Sequence, residues 1–217
     1  MSNVLQQHFT DRRDAIVFAA APALMAPRFG SLEPLAVGRR RYVLAQGGVF
    51  VEAHSAVLTL RVPVIEASAD EPLPFGEVAP DATFAAGPIP SALLARCVAR
   101  ARAEAPCEWA GLIVVDEAGV YQLIEPPVTE ATRARVSYSE IGINTDRLVL
   151  DVHSHGDFGP DFSGTDDVSD RSRPGPHLSL VIGRCREYPA FALRGCVGAH
   201  LVNLDLAFLG DEAWTAD

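Results

Sequence analysis

The chain has 217 residues, 48% of them hydrophobic, which is enough for one substantial domain with a buried core and a smaller appendage. Its formal net charge of −10 argues against nucleic-acid backbones and anionic membranes as partners, because both require basic surfaces. The longest apolar stretch is too short to cross a bilayer and no secretory leader precedes it, so we expect a cytoplasmic protein.

Residues 1–66 are predicted to form a small N-terminal β-rich region. Asp11 or Asp14 is suited to begin a short helix, which Pro22 would interrupt. From Arg41 onward the sequence changes to strand-like runs separated by turn residues. The predicted strands are 42–45, 49–53 and 56–62. Because three short strands are only marginally stable alone, we expect this meander to pack on the larger domain.

Residues 67–90 contain five prolines among acidic and glycine residues, and they predict an extended linker. Residues 91–217 are predicted to form the main domain. It begins with an amphipathic helix over 91–104, whose apolar residues recur at helical spacing. A strand hairpin follows, with Glu108 at its beginning and a return strand over 120–124.

The next segment is ambiguous, since 129–135 is compatible with a helical turn and 136–143 with a strand or a loop near a cleft. Residues 148–152 are an apolar run that predicts a central buried strand. Further elements are predicted as a helix from Ser163, a buried strand at 178–182, and one or two closing strands within 190–206.

The four cysteines show no CxxC spacing, and we expect free thiols in a reducing compartment. Two of them, with two histidines, offer the ligands of a second zinc site, but their strand-like surroundings favour buried core residues. These residues are Cys185, Cys196, His177 and His200. Several aspartates between 151 and 170 are interpreted mainly as solvated loop charges, although an acidic rim would attract a basic substrate tail.

One stretch, LVLDVHSHGDFGPDFSGTDDVSD from Leu148 to Asp170, places histidines, a serine and carboxylates directly behind the predicted central strand. His153 and His155 are separated by one residue, so on a strand both side chains leave the same face. A chain reversal would bring Asp166 beside them. Two imidazoles and one carboxylate, with a fourth position open, form the ligand set of a catalytic zinc.

Each part of this motif also has a simpler interpretation. Ser163 to Asp166 is an ordinary helix start with Ser163 as N-cap. The two histidines are compatible with a solvated loop. The full pattern HxH-x7-SxxD, however, arises by chance in on the order of one in a thousand sequences of this composition, which favours a metal site. The two interpretations of Ser163 are compatible, because a helix beginning there presents Asp166 from its first turn.

A proton acceptor for such a site is offered by Glu108, in the segment PCEWAGL at 106–112. PxExxGL, a strand, and then HSH-x7-SGxD resemble the JAMM/MPN (JAB) zinc metalloproteases of the prokaryotic branch, over roughly residues 88–205. The resemblance implies a zinc isopeptidase that removes a ubiquitin-like protein or matures its tail. Carried over residue by residue, it implies Zn2+ ligands at His153, His155 and Asp166, a general base at Glu108 and an oxyanion-stabilising hydroxyl at Ser163.

The fold expected with this resemblance is α/β, a mixed β-sheet flanked by helices in the JAMM/MPN and deaminase-like layered arrangement, with the small N-terminal β-rich appendage. Deaminase chemistry itself would require H-x-E and P-C-x-x-C motifs, and neither occurs. One departure from the family pattern is Gly156, because proline often follows the second histidine. We expect a looser loop there, with no ligand lost.

Within this family, the composition and the extra N-terminal segment are similar to the protein A family of bacterial PRTRC gene systems. Those systems include an adenylating activating enzyme and a small ubiquitin-like protein, which the resemblance implies as partners. Two alternatives stay open: a non-catalytic MPN-type scaffold, and a zinc hydrolase of a different small amide. The presence of all the motif residues favours an enzyme.

Overall fold

The computed structural model describes residues 9–210. The outer ends of the predicted N-terminal region and main domain, 1–8 and 211–217, lie outside the described residues. Within the described part, the helices are α1 (Arg12–Ala20), α2 (Ser91–Glu104) and α3 (Gly164–Ser172), with short 3-10 turns at Thr145–Arg147 and Leu206–Leu209. No helix in this part combines the length and apolar character needed to span a membrane.

Five strands form an N-terminal sheet in the order β1-β2-β3-β4-β5. They are β1 (Ala23–Met25), β2 (Arg39–Ala45), β3 (Gly48–His54), β4 (Leu58–Glu66) and β5 (Asp81–Phe84). The three predicted strands correspond to β2, β3 and β4, which pair antiparallel in sequence order. The two edge strands were not predicted: β1 is only three residues long, and β5 lies in the proline-rich segment.

The segment 67–90 differs from the extended linker that its prolines predict. Strand β5 pairs with β4, with Leu58 opposite Phe84, and the backbone N–H of Gly76 donates to the carbonyl of Ala26 at 3.0 Å. Ile89 is buried in the main core. Prolines are compatible with the ends of an edge strand, because only one side of it needs backbone donors. This segment is therefore part of the fold.

The second sheet is mixed and has the order β13-β12-β11-β10-β6-β7. Its strands are β6 (Ala110–Val115), β7 (Tyr121–Ile124), β10 (Leu148–Ser154), β11 (His177–Gly183), β12 (Ala190–Val197) and β13 (His200–Leu204), and between them in the chain a separate hairpin consists of β8 (Val128–Ala131) and β9 (Val136–Tyr138). Strands β10 and β11 are parallel and the other pairs are antiparallel. The predicted mixed sheet flanked by helices is confirmed.

One face of the second sheet is covered by α2 and by the N-terminal sheet. Leu150 and Leu193 from this face share one apolar cluster with Leu94 of α2 and with Leu60 of β4. At Gly195 a Cβ atom would lie 2.9 Å from Cγ1 of Val62, so the two sheets approach closely only because this residue is glycine. The opposite face carries polar side chains beneath α3.

The hairpin of β8 and β9 replaces the helical turn considered at 129–135. All four residues of β8 are exposed. The strand has no buried face, so its sequence lacks the alternation of apolar and polar residues that predicts a strand. Its strands pair through Val128 with Tyr138 and Ala131 with Val136. This hairpin stands beside the C-terminal end of β10, where the candidate site lies.

Candidate metal centre

The first two candidate ligands come from the end of β10. His153 is the penultimate residue of that strand, and His155 is the first residue after the strand. Their side chains therefore leave the same side of the backbone, as predicted. Ser154 points the opposite way, and its Oγ accepts a hydrogen bond of 2.9 Å from the backbone N–H of Trp109. This bond ties the end of β10 to the beginning of β6.

The orientation of His155 is fixed by a hydrogen bond behind it. Its Nδ1 lies 3.1 Å from the carbonyl oxygen of Gly159. Because a carbonyl only accepts, Nδ1 carries the proton and Nε2 presents a lone pair. This Nε2 lies 3.2 Å from Nε2 of His153.

The third candidate ligand, Asp166, belongs to a capping box at the start of α3. The Oγ of Ser163 accepts from the backbone N–H of Asp166 at 3.3 Å, and Oδ2 of Asp166 accepts from the N–H of Ser163 at 2.6 Å. The same carboxylate has Oδ1 3.1 Å from Nε2 of His153 and Oδ2 3.7 Å from Nε2 of His155. The helix start therefore orients the candidate ligand. Ser163 to Asp166 is both an ordinary helix start and part of the candidate metal site.

The donor set fits a tetrahedral zinc ion. One nitrogen or oxygen atom from each of His153, His155 and Asp166 lies within 4.8 Å of the others. Zinc bonds of about 2.0–2.1 Å at tetrahedral angles place two ligand atoms about 3.3 Å apart, which matches the three closest separations of 3.1, 3.2 and 3.7 Å. The convergence of lone pairs from two rings and a carboxylate favours a cation at their centre.

The pKa shifts of the candidate ligands agree with a cation at this position. Burial alone would lower the pKa of His153, but the carboxylates of Asp166, Asp151 and Glu108 together outweigh burial, and the pKa is raised. Burial would raise the pKa of Asp166, yet hydrogen bonds with His153 and then His155 lower it well below its usual range. A positive charge is thus stabilised at the point where the three side chains meet.

Glu108 lies two residues before β6 and is buried. Its backbone N–H donates to the carbonyl of Thr132 at 2.8 Å, and its carboxylate accepts from the backbone N–H of Val136. Burial is the largest influence on the carboxylate and raises its pKa. In the same motif, a Cβ atom at Gly111 would lie 2.5 Å from the Trp109 ring, which explains the glycine of PxExxGL.

All five predicted site residues line one cleft of about 790 Å³. Its two sides are different structures. We name the side built by residues 163–173, which contains α3 and its caps, the helix wall. We name the hairpin of residues 128–140, which contains β8 and β9, the hairpin wall; its residues 134–138 and 140 line the cleft. The histidines line the cleft from the end of β10, Asp166 and Ser163 belong to the helix wall, and Glu108 is hydrogen-bonded to the hairpin wall.

Comparison with known protein families agrees with this arrangement. Residues 90–194 match the model of the prokaryotic homologs of the JAB domain. The chain carries a prokaryotic JAB domain. Residues 11–85 match a second family, a domain of unknown function (DUF2016). No curated protein matches the chain. The suspected family is confirmed, and a JAB domain with this donor set is compatible with a metallopeptidase.

The polar groups that support the JAB site were not all recognised in the sequence. Asp151 is buried and accepts from the guanidinium of Arg173 and, at 3.1 Å, from the hydroxyl of Tyr138. Arg173, the C-cap of α3, also contacts the carboxylate of Glu140. The interpretation of Asp151 and Asp170 as solvated loop charges is wrong, since each is ion-paired and nearly inaccessible. Their main partners, Arg173 for Asp151 and Arg194 for Asp170, lie 22 and 24 residues further along the chain and gave no local signal.

The second zinc site considered from the sequence is not assembled in the JAB domain. The thiol of Cys185 contacts the carbonyl of Ile182, and His200 lies 2.9 Å from the hydroxyl of Tyr42. His177 and Cys196 do meet, together with Asp170, and their ligand atoms lie within 4.8 Å of one another. The Asp170 carboxylate is already paired with an arginine, and burial raises the pKa of the Cys196 thiol, which disfavours the thiolate that metals bind. The described cysteines are free thiols, as predicted.

Gly156 does not loosen the loop of the JAB motif. Its φ is +55°, and a Cβ atom there would clash with the carbonyl of Pro106. Its own carbonyl accepts from the N–H of Cys185 at 2.8 Å. Proline requires φ near −65°, so this backbone conformation excludes it. The loop is held tightly against the segment that carries Glu108.

Proposed function

We propose that the chain is a zinc-dependent peptidase or isopeptidase that acts on a ubiquitin-like protein or on its C-terminal tail. The observation that carries the proposal is the convergence of the His153, His155 and Asp166 donor atoms beside the buried carboxylate of Glu108, within a JAB domain. A site that only held a structural ion would need no free carboxylate next to it, and would use a fourth protein ligand.

His153, His155 and Asp166 would hold the zinc, which supplies a Lewis acid that polarises a carbonyl and eases deprotonation of water. Glu108 accepts a proton from the attacking water as the new carbon–oxygen bond forms. Its raised pKa brings it nearer to neutral pH, where a general base is most effective. Glu108 then returns that proton to the leaving amine as the carbon–nitrogen bond breaks, so it is regenerated at the end of the cycle.

Ser163 would stabilise the oxyanion of the tetrahedral intermediate. A hydroxyl has one donor and two acceptor positions. As N-cap, Ser163 uses an acceptor position toward the N–H of Asp166, so its O–H remains available to donate into the cleft that it lines. One such donor is worth about 3 kcal/mol of transition-state stabilisation in comparable sites.

The substrate assignment depends on the resemblance to the JAMM family, as does the adenylating activating enzyme as a partner in the same system. The open cleft between two walls suits an extended tail. Two other functions are compatible with a JAB domain: a non-catalytic scaffold, and a hydrolase of a different small amide. Complete retention of ligands, base and hydroxyl supports an enzyme over the scaffold.

The test is single-turnover cleavage of ubiquitin-like tail fusions by the wild type and by Glu108→Gln, with zinc content and melting temperature measured for both. Glutamine preserves the shape of the side chain but not its basicity. We expect one zinc per chain in both proteins, a melting temperature at least equal in the variant, and hydrolysis lower by about a hundredfold or more.

A matched control is Glu117→Gln, which removes the same charge from an exposed turn and should cleave like the wild type. Equal cleavage by the wild type and Glu108→Gln would remove Glu108 as the base. If the zinc-loaded wild type cleaves no fusion but hydrolyses a small amide, the alternative of a small-amide hydrolase is favoured. If it cleaves neither substrate, the non-catalytic scaffold is favoured.

A further inference from the structure

The geometry points to Arg194 as the positioning residue of the metal centre: one buried guanidinium fixes α3 on the sheet and thereby fixes the carboxylate of Asp166. Arg194 touches none of the candidate ligands, and it acts through the helix that carries one of them. This inference rests on the proposed function of the cleft as a zinc site.

Helix α3 has no apolar face with which to dock. It is nine residues long, GTDDVSDRS, and Val168, its single large apolar side chain, is 71% exposed. The one residue of the helix that is buried is Asp170. Short helices in globular proteins are normally held by an apolar stripe against the core. The position of α3 must therefore be set by polar contacts.

Arg194, on β12, supplies those contacts at three successive levels of the helix. Its Nε and NH2 atoms pair with Oδ2 of Asp170 at 2.7 and 2.5 Å, in the second turn. Its NH1 donates to Oδ1 of Asp167 at 2.7 Å, in the first turn. Its guanidinium carbon lies 3.8 Å from the ring centroid of Phe162, immediately before the N-cap. One side chain thus contacts both turns of α3 and the residue before its N-cap, while Arg173 at the C-cap joins the end of the helix to Asp151 of β10.

The backbone of Arg194 is itself immobilised from the other side of the sheet. Successive strand residues point to opposite faces, and Gly195 faces the N-terminal sheet, where a Cβ would lie within 3.0 Å of Val62 and Leu204. Strand β12 is also paired on both edges, with Arg194 opposite Ser179 of β11 and Asn203 of β13. The guanidinium therefore projects from a rigid support.

The consequence for the metal centre follows from the position of Asp166 in the chain. Asp166 immediately precedes Asp167, whose carboxylate Arg194 holds, and it lies one turn before Asp170. A small rotation of α3 would move Oδ1 of Asp166 away from Nε2 of His153, now 3.1 Å distant. Lysine cannot replace arginine here, because a single ammonium group cannot contact two carboxylates and an aromatic ring in this planar arrangement.

The test compares Arg194→Lys with Arg171→Lys. Arg171 lies on the same helix, is paired with Asp167, and is about half exposed. Its replacement therefore shows the effect of losing a guanidinium that does not join α3 to the sheet. Zinc affinity of the folded proteins is measured by chelator competition. We expect Arg194→Lys to bind zinc about tenfold or more weakly, which is the usual effect of a group that orients a ligand, and Arg171→Lys to stay within about twofold of the wild type.

Amide hydrogen exchange of residues 163–170, measured on metal-free protein, is the second readout. We expect faster exchange in Arg194→Lys and unchanged exchange in Arg171→Lys. If the wild type binds no zinc, the proposed function fails, while faster exchange in Arg194→Lys still supports Arg194 as the group that fixes α3. Unchanged exchange and unchanged zinc affinity in Arg194→Lys would overturn the inference.

The double variant Arg194→Met with Asp170→Asn covers the case in which lysine unfolds the chain. It removes both buried charges together, so the fold is spared an unpaired carboxylate. We expect it to fold, with weakened zinc binding and faster exchange in α3. Wild-type zinc affinity in a folded double variant would show that Arg194 only stabilises the protein, and would overturn its positioning role.

Discussion

The two walls of the cleft are fixed in different ways. The helix wall is fixed by side chains: a capping box at Ser163 and buried ion pairs from Arg194 and Arg173. The hairpin wall holds Glu108 mainly through the main chain, with the carbonyl of Thr132 and the N–H of Val136 as the two contacts. All four residues of strand β8 are exposed.

This difference determines what each wall tolerates. A main-chain hydrogen bond survives most side-chain substitutions, so residues 132–136 of the hairpin wall are able to vary while still orienting the base. Tyr138 and Glu140 of the same wall contact Asp151 and Arg173 through their side chains and are less replaceable. A buried ion pair that loses one partner leaves a buried charge without compensation. We therefore expect the helix wall not to tolerate substitution of its paired residues. We expect substitutions to divide accordingly.

The largest effect is expected at the ligand on the helix wall. Asp166→Ala should reduce bound zinc from one per chain to almost none, because only two imidazoles remain, and zinc should no longer raise the melting temperature. Metal analysis after dialysis and thermal melting with added zinc measure this. Asp161→Ala, which removes another carboxylate of the same cleft, is the control and should keep its zinc. Full zinc content in Asp166→Ala would contradict the ligand assignment.

A smaller effect is expected from acid on the ion pairs of the same wall. Burial would raise the pKa of Asp170, but its contacts with His177 and Arg194 lower it from 3.8 to about 2. Since the folded pKa is depressed, this carboxylate stabilises the protein above pH 3.8, and that contribution is lost as the pH falls toward 2. The loss should be about 2 kcal/mol in the free energy of unfolding.

Urea unfolding between pH 5 and pH 2.5 measures this contribution. Asp170→Asn, which cannot titrate, should be less stable than the wild type at pH 5 and should lose less stability on acidification. Parallel pH profiles for the two proteins would argue against the ionised Asp170 pair.

The smallest effect is expected at Val136, on the hairpin wall, where main-chain and side-chain contributions can be separated. Val136→Pro removes the N–H that donates to Glu108, whereas Val136→Ala removes only side-chain atoms. We expect cleavage to fall about tenfold in the proline variant, the approximate worth of one hydrogen bond to a charged group, and less than twofold in the alanine variant. Zinc content should be normal in both. Equal losses in the two variants would mean that the Val136 side chain, and not its N–H, positions Glu108.

The same contrast explains how far the sequence alone could be interpreted. Helix α2, strand β10 and the capping box at Ser163 depend on hydrophobic spacing and contacts within a few residues, and they were predicted. On the hairpin wall, a strand within 136–143 was one of the two alternatives and β9 lies there, whereas β8 was not predicted, because an exposed strand leaves no pattern in its side chains. The role of Arg194 was missed because the strand that carries it and the helix that it holds are joined only by the folded topology.

The core shared by the two sheets has a consequence for synthesis of the protein. The N-terminal sheet covers the apolar face of β12 and β13. However, Glu66, the last residue of β4, leaves the ribosome long before Leu204, the last residue of β13. At about 5–20 residues per second, the delay is roughly 7–30 s. During that time the apolar side chains of β3 and β4 can be covered only by nearer elements such as α2, so the part of this surface that packs on β12 and β13 stays exposed on the nascent chain until the last strand emerges.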